Sequence, residues 1–328
     1  MSRPSISIIT IVYNGLPFLQ DAIESILKQE YGDWELLISD DGSTDGSREF
    51  LDSLNDPRIT VFKQEKNLGI FDNLNFLFSK AKAPISQILC QDDYFVSAKS
   101  LNHIINYWEN ATAQIGFVRF NHNFPDGKQM LWYQDKIIPA VIKANESAIW
   151  FYAFGNIPGN LSNVSVRTAL VKQHGGFNQG LPYAGDFEFW CRLAAKVDMG
   201  IDRRKVVHIR RHPGVASNFL NRKGELLVQM GQIISMLYNS LAVRYPGANR
   251  ILKIHGTLNY DVLPRDTAVK RYLKGDKTYL ARLNAVSDHS PFSVKSLSRW
   301  GFFILTAGGR VGRVFVAKKM LRRAGLVN

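Results

Sequence analysis

The sequence predicts an α/β protein, a mostly parallel sheet with helices on both faces, followed by a basic helical C-terminal region. Over residues 5–93, β-branched runs alternate with amphipathic stretches in the order β-α-β-α-β-α-β, the pattern of an open parallel sheet. Charge divides the chain as well: residues 1–202 hold 17 basic and 23 acidic side chains, whereas residues 203–328 hold 24 and 5. A chain of 328 residues suffices for one large domain and an appendage. The expected boundaries are 1–218, with halves 1–96 and 97–218, and 219–328.

The first strand is the nearly continuous apolar run Ser5 to Val12, which reads as buried on both faces. Tyr13, Asn14 and Gly15 break it, and Pro17 opens a helix with Leu19, Ile23, Ile26 and Leu27 on one face. Trp34 to Ser39 is the second strand, ending in Asp40 and Asp41. A helix near 45–54, capped by Thr44 or Asp45, leads to a third strand, Arg58 to Phe62. Asn67 to Gly69 turns the chain into a helix over 70–81. Then comes the run Ile88 to Asp93, read as a buried central strand that stops at two adjacent carboxylates, Asp92 and Asp93.

A lone acidic pair also suits a solvated helix cap. Two pairs at strand tips, expected on neighbouring strands at one sheet edge, point instead to a ligand in the crevice where open α/β sheets bind. A carboxylate at the first tip can accept an imide N–H from a nucleobase, and Tyr13 offers a face for stacking. The second pair can hold a divalent cation, Mn²⁺ or Mg²⁺, that bridges a diphosphate. Neither common glycine-rich phosphate loop is present in the sequence.

The segments Ser7 to Gly15, Ser39 to Ser47 and Gln91 to Asp93 together resemble the nucleotide-binding half of family 2 glycosyltransferases with the GT-A (Rossmann-like) fold. The resemblance implies that Asp41 contacts the base, that Tyr13 packs against it, that Asp92 meets the ribose and that Asp93 meets the metal. Ile11 and Val12 stand where many relatives have Pro-Thr, so no hydroxyl contact is carried over.

A helix over 97–110 and a strand from Ile115 to Phe120 continue the pattern, with Asp126-Gly127 as a turn before the Met130 to Tyr133 run. His103 and His122 lack partners at ligand spacing and read as surface or packing residues. Gly175 to Asn178 is a turn, and Gly185 to Arg192 begins a helix. An Asp in a first helical turn is ordinarily a cap. The resemblance makes Asp186 the general base of an inverting transfer, with Glu188 facing elsewhere and Gly185 replacing the usual Glu. Val206 to Ile209 alternates as a strand that ends at His212, Pro213 and Gly214. By resemblance His212 completes the metal site, and Arg210 or Arg211 contacts the diphosphate, with His208 left inside the strand.

Leu226 to Val243 is an expected amphipathic helix, with later helical stretches broken by Pro246, Pro264 and Pro291. No apolar run approaches the roughly 18 residues of a membrane span. Trp300, Phe302 and Phe303, followed by the basic stretch Arg310 to Arg323, suit either an anionic membrane surface or a packed helical subdomain with a solvated basic face. Cys90 and Cys191 read as reduced core residues, which fits the cytoplasm or the inner face of the plasma membrane. The expected activity is therefore transfer of a sugar from a nucleotide-diphosphate sugar, UDP-linked, to a saccharide or lipid-linked glycan. The alternatives are a sugar nucleotidylyltransferase and a basic membrane- or nucleic-acid-binding module. The acidic crevice argues against nucleic acid as a partner.

Overall fold

The structure, a computed structural model, describes residues 3–123, 135–212 and 224–327. Asp126-Gly127, the Met130 to Tyr133 run, Pro213 and Gly214 lie outside the described residues. The chain divides into two compact units, one of residues 1–147 and 156–212, the other of residues 148–155 and 213–328.

The first unit is built on a nine-stranded sheet. Its strands are β1 (Ile6–Val12), β2 (Trp34–Asp40), β3 (Ile59–Lys63), β4 (Ile85–Ile88), β5 (Tyr94–Phe95), β6 (Ile115–Asn123), β7 (Val141–Ile142), β8 (Val164–Arg167) and β9 (Asp198–His208). They run in the order β3-β2-β1-β4-β8-β6-β9-β5, with β7 beside β9. The first four in that order are parallel, as is β6 with β9, while β8 runs antiparallel to both β4 and β6. The sheet is the mostly parallel α/β layer that the alternation predicts.

β1 is central because both of its faces are apolar: Ile6, Ile8, Ile9 and Val12 are all 0% exposed. The helices α1 (Leu16–Leu27), α2 (Ser47–Asp52), α3 (Ile70–Lys80) and α4 (Ser100–Asn110) cover the sheet. α1 buries Leu19, Ile23 and Ile26 as expected, but Leu27 is 41% exposed because the helix ends there. Neither Thr44 nor Asp45 caps α2. Gly46, in the left-handed region at φ 90°, occupies that position, and Asp45 accepts from the Ser47 amide at 3.0 Å instead.

Two expectations about the acidic pairs need correction. β4 ends at Ile88, so Asp92 and Asp93 lie in a turn beyond the strand. The strands behind the two pairs are also not neighbours, since β1 runs between β2 and β4. The pairs thus flank the end of β1, where Tyr13 sits.

The second unit is helical in its described residues: Glu225–Arg244, Asn249–Gly256, Leu263–Leu273, Thr278–Asp288, Ser296–Leu305 and Arg313–Arg323. A π-helical segment, Thr257–Val262, joins the second and third of these without a break. Pro264 therefore does not interrupt the chain as expected. It lies just past the π-helical segment, inside one continuous helical run whose widened turn takes up the residue that lacks an N–H. Glu225–Arg244 is long and apolar enough to cross a membrane by length and composition, which the run-length reading of the sequence missed. Its Ile233, Ile234, Leu237, Tyr238 and Leu241 are buried within the unit.

Leu36, fully buried in the middle of β2, reports on the core of the first unit. Leu36→Ala should destabilise that unit by about 2–5 kcal/mol in urea denaturation followed by tryptophan fluorescence, and a loss below about 1 kcal/mol would mean that the sheet core repacks around the gap.

Candidate functional site

Parallel pairing of β2, β1 and β4 brings their C-terminal ends to one edge, and the loops that follow are stitched together by side chains. After β1 the chain turns through Asn14 at φ 48°, a left-handed conformation that asparagine tolerates better than branched residues. Three successive amides of this turn are received by the loop after β2: Asn14 by the Ser43 hydroxyl at 2.9 Å, Gly15 by the Ser47 hydroxyl at 3.1 Å, and Leu16 by the Asp45 carboxylate at 3.0 Å. Asn14 Oδ1 returns the contact, accepting from the Thr44 amide at 2.8 Å. The polar run after Asp41 thus holds the first turn in place.

Tyr13 is fixed by its backbone and leaves its ring 50% exposed. The Gln91 side chain accepts from the Tyr13 amide at 2.8 Å and donates to the Tyr13 carbonyl at 3.1 Å. A Cβ on Gly15 would come within 2.2 Å of the Gln91 amide oxygen, so a side chain there would push Gln91 off its bonds to Tyr13.

The two members of the first acidic pair are used differently. Asp40 is fully buried and ion-paired with Arg48, which makes it structural. Asp41, 3% exposed, accepts from the Leu68 amide at 2.6 Å and the Gly69 amide at 3.0 Å, one on each carboxylate oxygen. These bonds orient the carboxylate and leave each oxygen a second lone pair.

In the second pair, Asp93 is 1% exposed and Asp92 half-buried. Asp93 accepts from the Ser162 hydroxyl at 2.6 Å and from the Arg210 backbone amide at 3.1 Å. Burial first, and the neighbouring Asp92 second, push the Asp93 carboxyl up to about 7. His212 Nε2 lies 3.1 Å from Asp92, with its ring 4.3 Å from that of Phe18. The side-chain donors of Cys90, Asp92 and Asp93 lie within 4.8 Å of one another.

This donor set fits a hard divalent cation. The two carboxylates suit Mn²⁺ or Mg²⁺, and a cation would offset the burial and repulsion that raise Asp93; His212, expected to complete the set, contacts Asp92 but is not part of this three-donor group. Cys90 fits less well, because burial and then the two carboxylates push its thiol well above its ordinary range and keep it protonated.

Arg210 donates its backbone amide to Asp93, and its charge also draws the Asp93 carboxyl down. Its guanidinium pairs with Asp21 and lies over the rings of Phe18 and Tyr94 at 5.2 and 4.9 Å. Arg211 is exposed, and His208 is the last residue of β9.

Asp186 stands in the first turn of the helix Gly185–Ala194, where its carboxylate accepts from Asn156 Nδ2 at 2.8 Å. Burial pushes this carboxyl above the usual range, and hydrogen bonds from the Phe187 amide and Asn156 pull part of the shift back. Glu188 is tied to Arg192 by two bonds, which removes it as a competing base. The absence of a glutamate at 185 has a steric cause: a Cβ there would come within 2.7 Å of the Phe71 ring and 3.0 Å of the Asn178 carbonyl.

The sequence reading missed Gln91, Asn156 and Ser162. Asn156 and Ser162 belong to one short loop, and they hold Asp186 and Asp93 respectively. The sequence signal was the polar, turn-rich run Asn156 to Asn163 before β8, which has no charge or period to mark it.

A family model described as glycosyl transferase family 2 matches residues 7–170. An Escherichia coli protein named UDP-Glc:alpha-D-GlcNAc-diphosphoundecaprenol beta-1,3-glucosyltransferase WfaP is 27% identical over 241 residues, 70% of this chain and 86% of that protein. The putative teichuronic acid biosynthesis glycosyltransferase TuaG of Bacillus subtilis is 30% identical over 140 residues, 42% of this chain and 54% of that protein. An uncharacterized glycosyltransferase of Rickettsia typhi, RT0329, is 26% identical over 215 residues, and the match spans 66% of its length. Among solved structures, residues 1–349 of S. aureus TarS in complex with UDP-GlcNAc superpose with a TM-score of 0.67 at 15% identity, covering 98% of this chain and 92% of that one. Pyrobaculum calidifontis mannosyltransferase PcManGT in complex with GDP-Man and Mn²⁺ superposes with a TM-score of 0.54 at 16% identity, covering 96% of this chain and 88% of that one. These two structures share the fold.

The burial of Asp186 has a thermodynamic sign. Its folded pKa is raised, so its contribution to stability is fully present below the ordinary carboxylate range and is lost as pH rises through the folded value. In alkaline solution, above the folded value, the protein therefore carries an ionised, desolvated carboxylate that Asp186→Asn would not. The variant should melt at a higher temperature than the native protein under those conditions, and the gap should close as pH falls to about 4. A variant that melts lower in alkaline solution would show that hydrogen bonding to the carboxylate outweighs its desolvation.

Proposed function

The chain belongs to glycosyl transferase family 2, and on that premise we propose that it moves a sugar, with inversion, from a nucleotide-diphosphate sugar to a hydroxyl of a saccharide or lipid-linked glycan. The observation that carries the reading is the loop of residues 156–163, which holds Asp186 at one end and Asp93 at the other. An inverting displacement needs two parts: a base on the acceptor side and a positive charge on the leaving-group side.

Asp186 takes the proton from the acceptor hydroxyl as that oxygen attacks the anomeric carbon. The bond from that carbon to the diphosphate oxygen breaks, and the electron pair leaves with the nucleoside diphosphate. A raised carboxyl suits the task, because a base works best with a pKa near the working pH. Asp93, with Asp92 and His212 beside it, would hold the cation, Mn²⁺ or Mg²⁺, whose chemistry is to neutralise the leaving diphosphate. Asp92 would reach the ribose. Tyr13, with its exposed ring, and Asp41, with its free lone pairs, would receive the base. Arg211, exposed just beyond β9, or Arg210, which also pairs with Asp21, would contact the diphosphate.

The donor is proposed as a UDP-sugar. The name of the E. coli relative gives a UDP-sugar donor and a diphosphoundecaprenol-linked acceptor for that protein. A TarS structure of the same fold was solved with UDP-GlcNAc. The same relative supports a lipid-linked acceptor, which would bring the reaction to the cytoplasmic face of a membrane.

Asp186→Asn separates the base from the donor site. In a panel of UDP-, GDP- and dTDP-sugars with glycan acceptors, the variant should lose at least about 10²-fold in kcat for nucleoside diphosphate release. It should keep donor affinity. Retained turnover would remove Asp186 from the role of base.

A further inference from the structure

The second unit contains a helix with its polarity reversed. In Ser296–Leu305 the one buried residue is Arg299, 3% exposed. Leu297, Ile304 and Leu305 are 85%, 76% and 82% exposed, and Trp300 37%. A helix packed on a water-soluble core buries its apolar stripe and shows its charges.

The reversal has an electrostatic cause. Arg299 turns inward to Asp261 at 3.1 Å and to Asp288 at 2.6 Å, and Asp261 is also paired with Arg265. Asp261 belongs to the π-helical segment Thr257–Val262. With the arginine committed to the interior, Phe302 and Phe303, three and four positions on, share its inward side, and Leu297, Ile304 and Leu305 are left outward. Phe302 and Phe303, expected from the sequence to insert, are half-buried, and Phe303 packs edge-on against Trp300 at 5.7 Å.

The following helix, Arg313–Arg323, has ordinary packing, with Ala317, Met320 and Leu321 buried. Its outer side shows Phe315, 65% exposed, together with Lys318, Lys319, Arg322 and Arg323. After Asp288 the sequence has eight Lys and Arg and no Asp or Glu.

We propose that the exposed sides of these two helices dock on an anionic phospholipid bilayer. Leu297, Ile304, Leu305 and Phe315 would enter the boundary between headgroups and acyl chains, and Lys318, Lys319, Arg322 and Arg323 would meet lipid phosphates. Exposed aliphatic side chains together with a helix rich in exposed Lys and Arg are the composition of an interfacial element. The two helices have 10 and 11 residues, too short to span a bilayer, so the mode is surface binding. A second copy of the chain is a poorer occupant, because two such faces would bring like charges together with no acid to pair them. The proposal goes beyond the transferase reading and uses none of its residues.

Co-sedimentation of the full chain with phosphatidylcholine vesicles, with and without phosphatidylglycerol, tests it. The native protein should pellet with the anionic vesicles and be released as salt rises. Lys318→Glu/Lys319→Glu should weaken binding more than about tenfold, since each basic residue near such a surface is worth roughly fivefold. Ile304→Glu/Leu305→Glu should weaken it by a similar factor while leaving UDP binding, measured by calorimetry, unchanged. Should either double variant fail to fold, Trp300→Phe gives a second measurement: the native emission should shift to the blue with anionic vesicles, and the variant should lose that shift. Equal pelleting with neutral and anionic vesicles, variants that bind like the native protein, or a shift retained by Trp300→Phe would each overturn the proposal. So would a native dimer that Ile304→Glu/Leu305→Glu splits without changing vesicle binding, since the face would then join copies of the chain.

Discussion

A carboxylate taken out of water needs donors, and in the first unit one loop provides them for both candidate reacting acids. Ser162 donates to Asp93, and Asn156 donates to Asp186. The loop is held in turn by the sheet: Gln87 of β4 donates to the Ser162 carbonyl at 2.9 Å, and the Ser162 hydroxyl accepts from the Cys90 amide at 2.9 Å. Asn160 closes the turn by accepting from the Ser162 amide at 2.9 Å. The position of each acid is thereby tied to the same strand end. Such hydrogen bonds to charged groups are stronger than neutral ones, and their loss leaves a buried charge exposed to its full desolvation cost.

A second constraint fixes the opposite side of the crevice. The turn after β1 has three amides that no strand can use, and the loop after β2 receives all three through Ser43, Ser47 and Asp45. The motif that resembles a binding signature in sequence is thus in large part a scaffold. Of its carboxylates, Asp40 and Asp45 serve the fold, and Asp41 is oriented by the Leu68 and Gly69 amides with lone pairs to spare. A run of small polar residues reads the same way in sequence whether it binds a ligand or a neighbouring loop.

The parallel half of the sheet was legible because continuous apolar runs are what strands covered on both faces must have. β1, β2 and the helix between them follow from that pattern alone. The short antiparallel strand β8 was not, since the four residues Val164–Arg167 carry no period long enough to distinguish them from a loop. Strand order was equally hidden: insertion of β1 between β2 and β4 is set by crossover packing, and this moved the acidic pairs from neighbouring strands to either side of Tyr13. Asp41, Asp92, Asp93 and Asp186 were found through their neighbours in sequence. Asn156 and Ser162 were not, because their partners lie 30 and 69 residues away. In the C-terminal unit the charge excess was visible but the exposed face was not, for the inward turn of Arg299 depends on Asp261, well upstream in the chain.

The central claim is that Asp93 anchors a cation through which a nucleotide is held. Calorimetric titration of UDP, GDP and dTDP into the native protein and into Asp93→Ala, each with and without Mn²⁺, tests it most directly. Metal-dependent binding of one nucleotide, UDP before the others, that vanishes in the variant is the predicted result. Nucleotide binding that is indifferent to Mn²⁺, or that survives in Asp93→Ala with its metal dependence intact, would contradict the account.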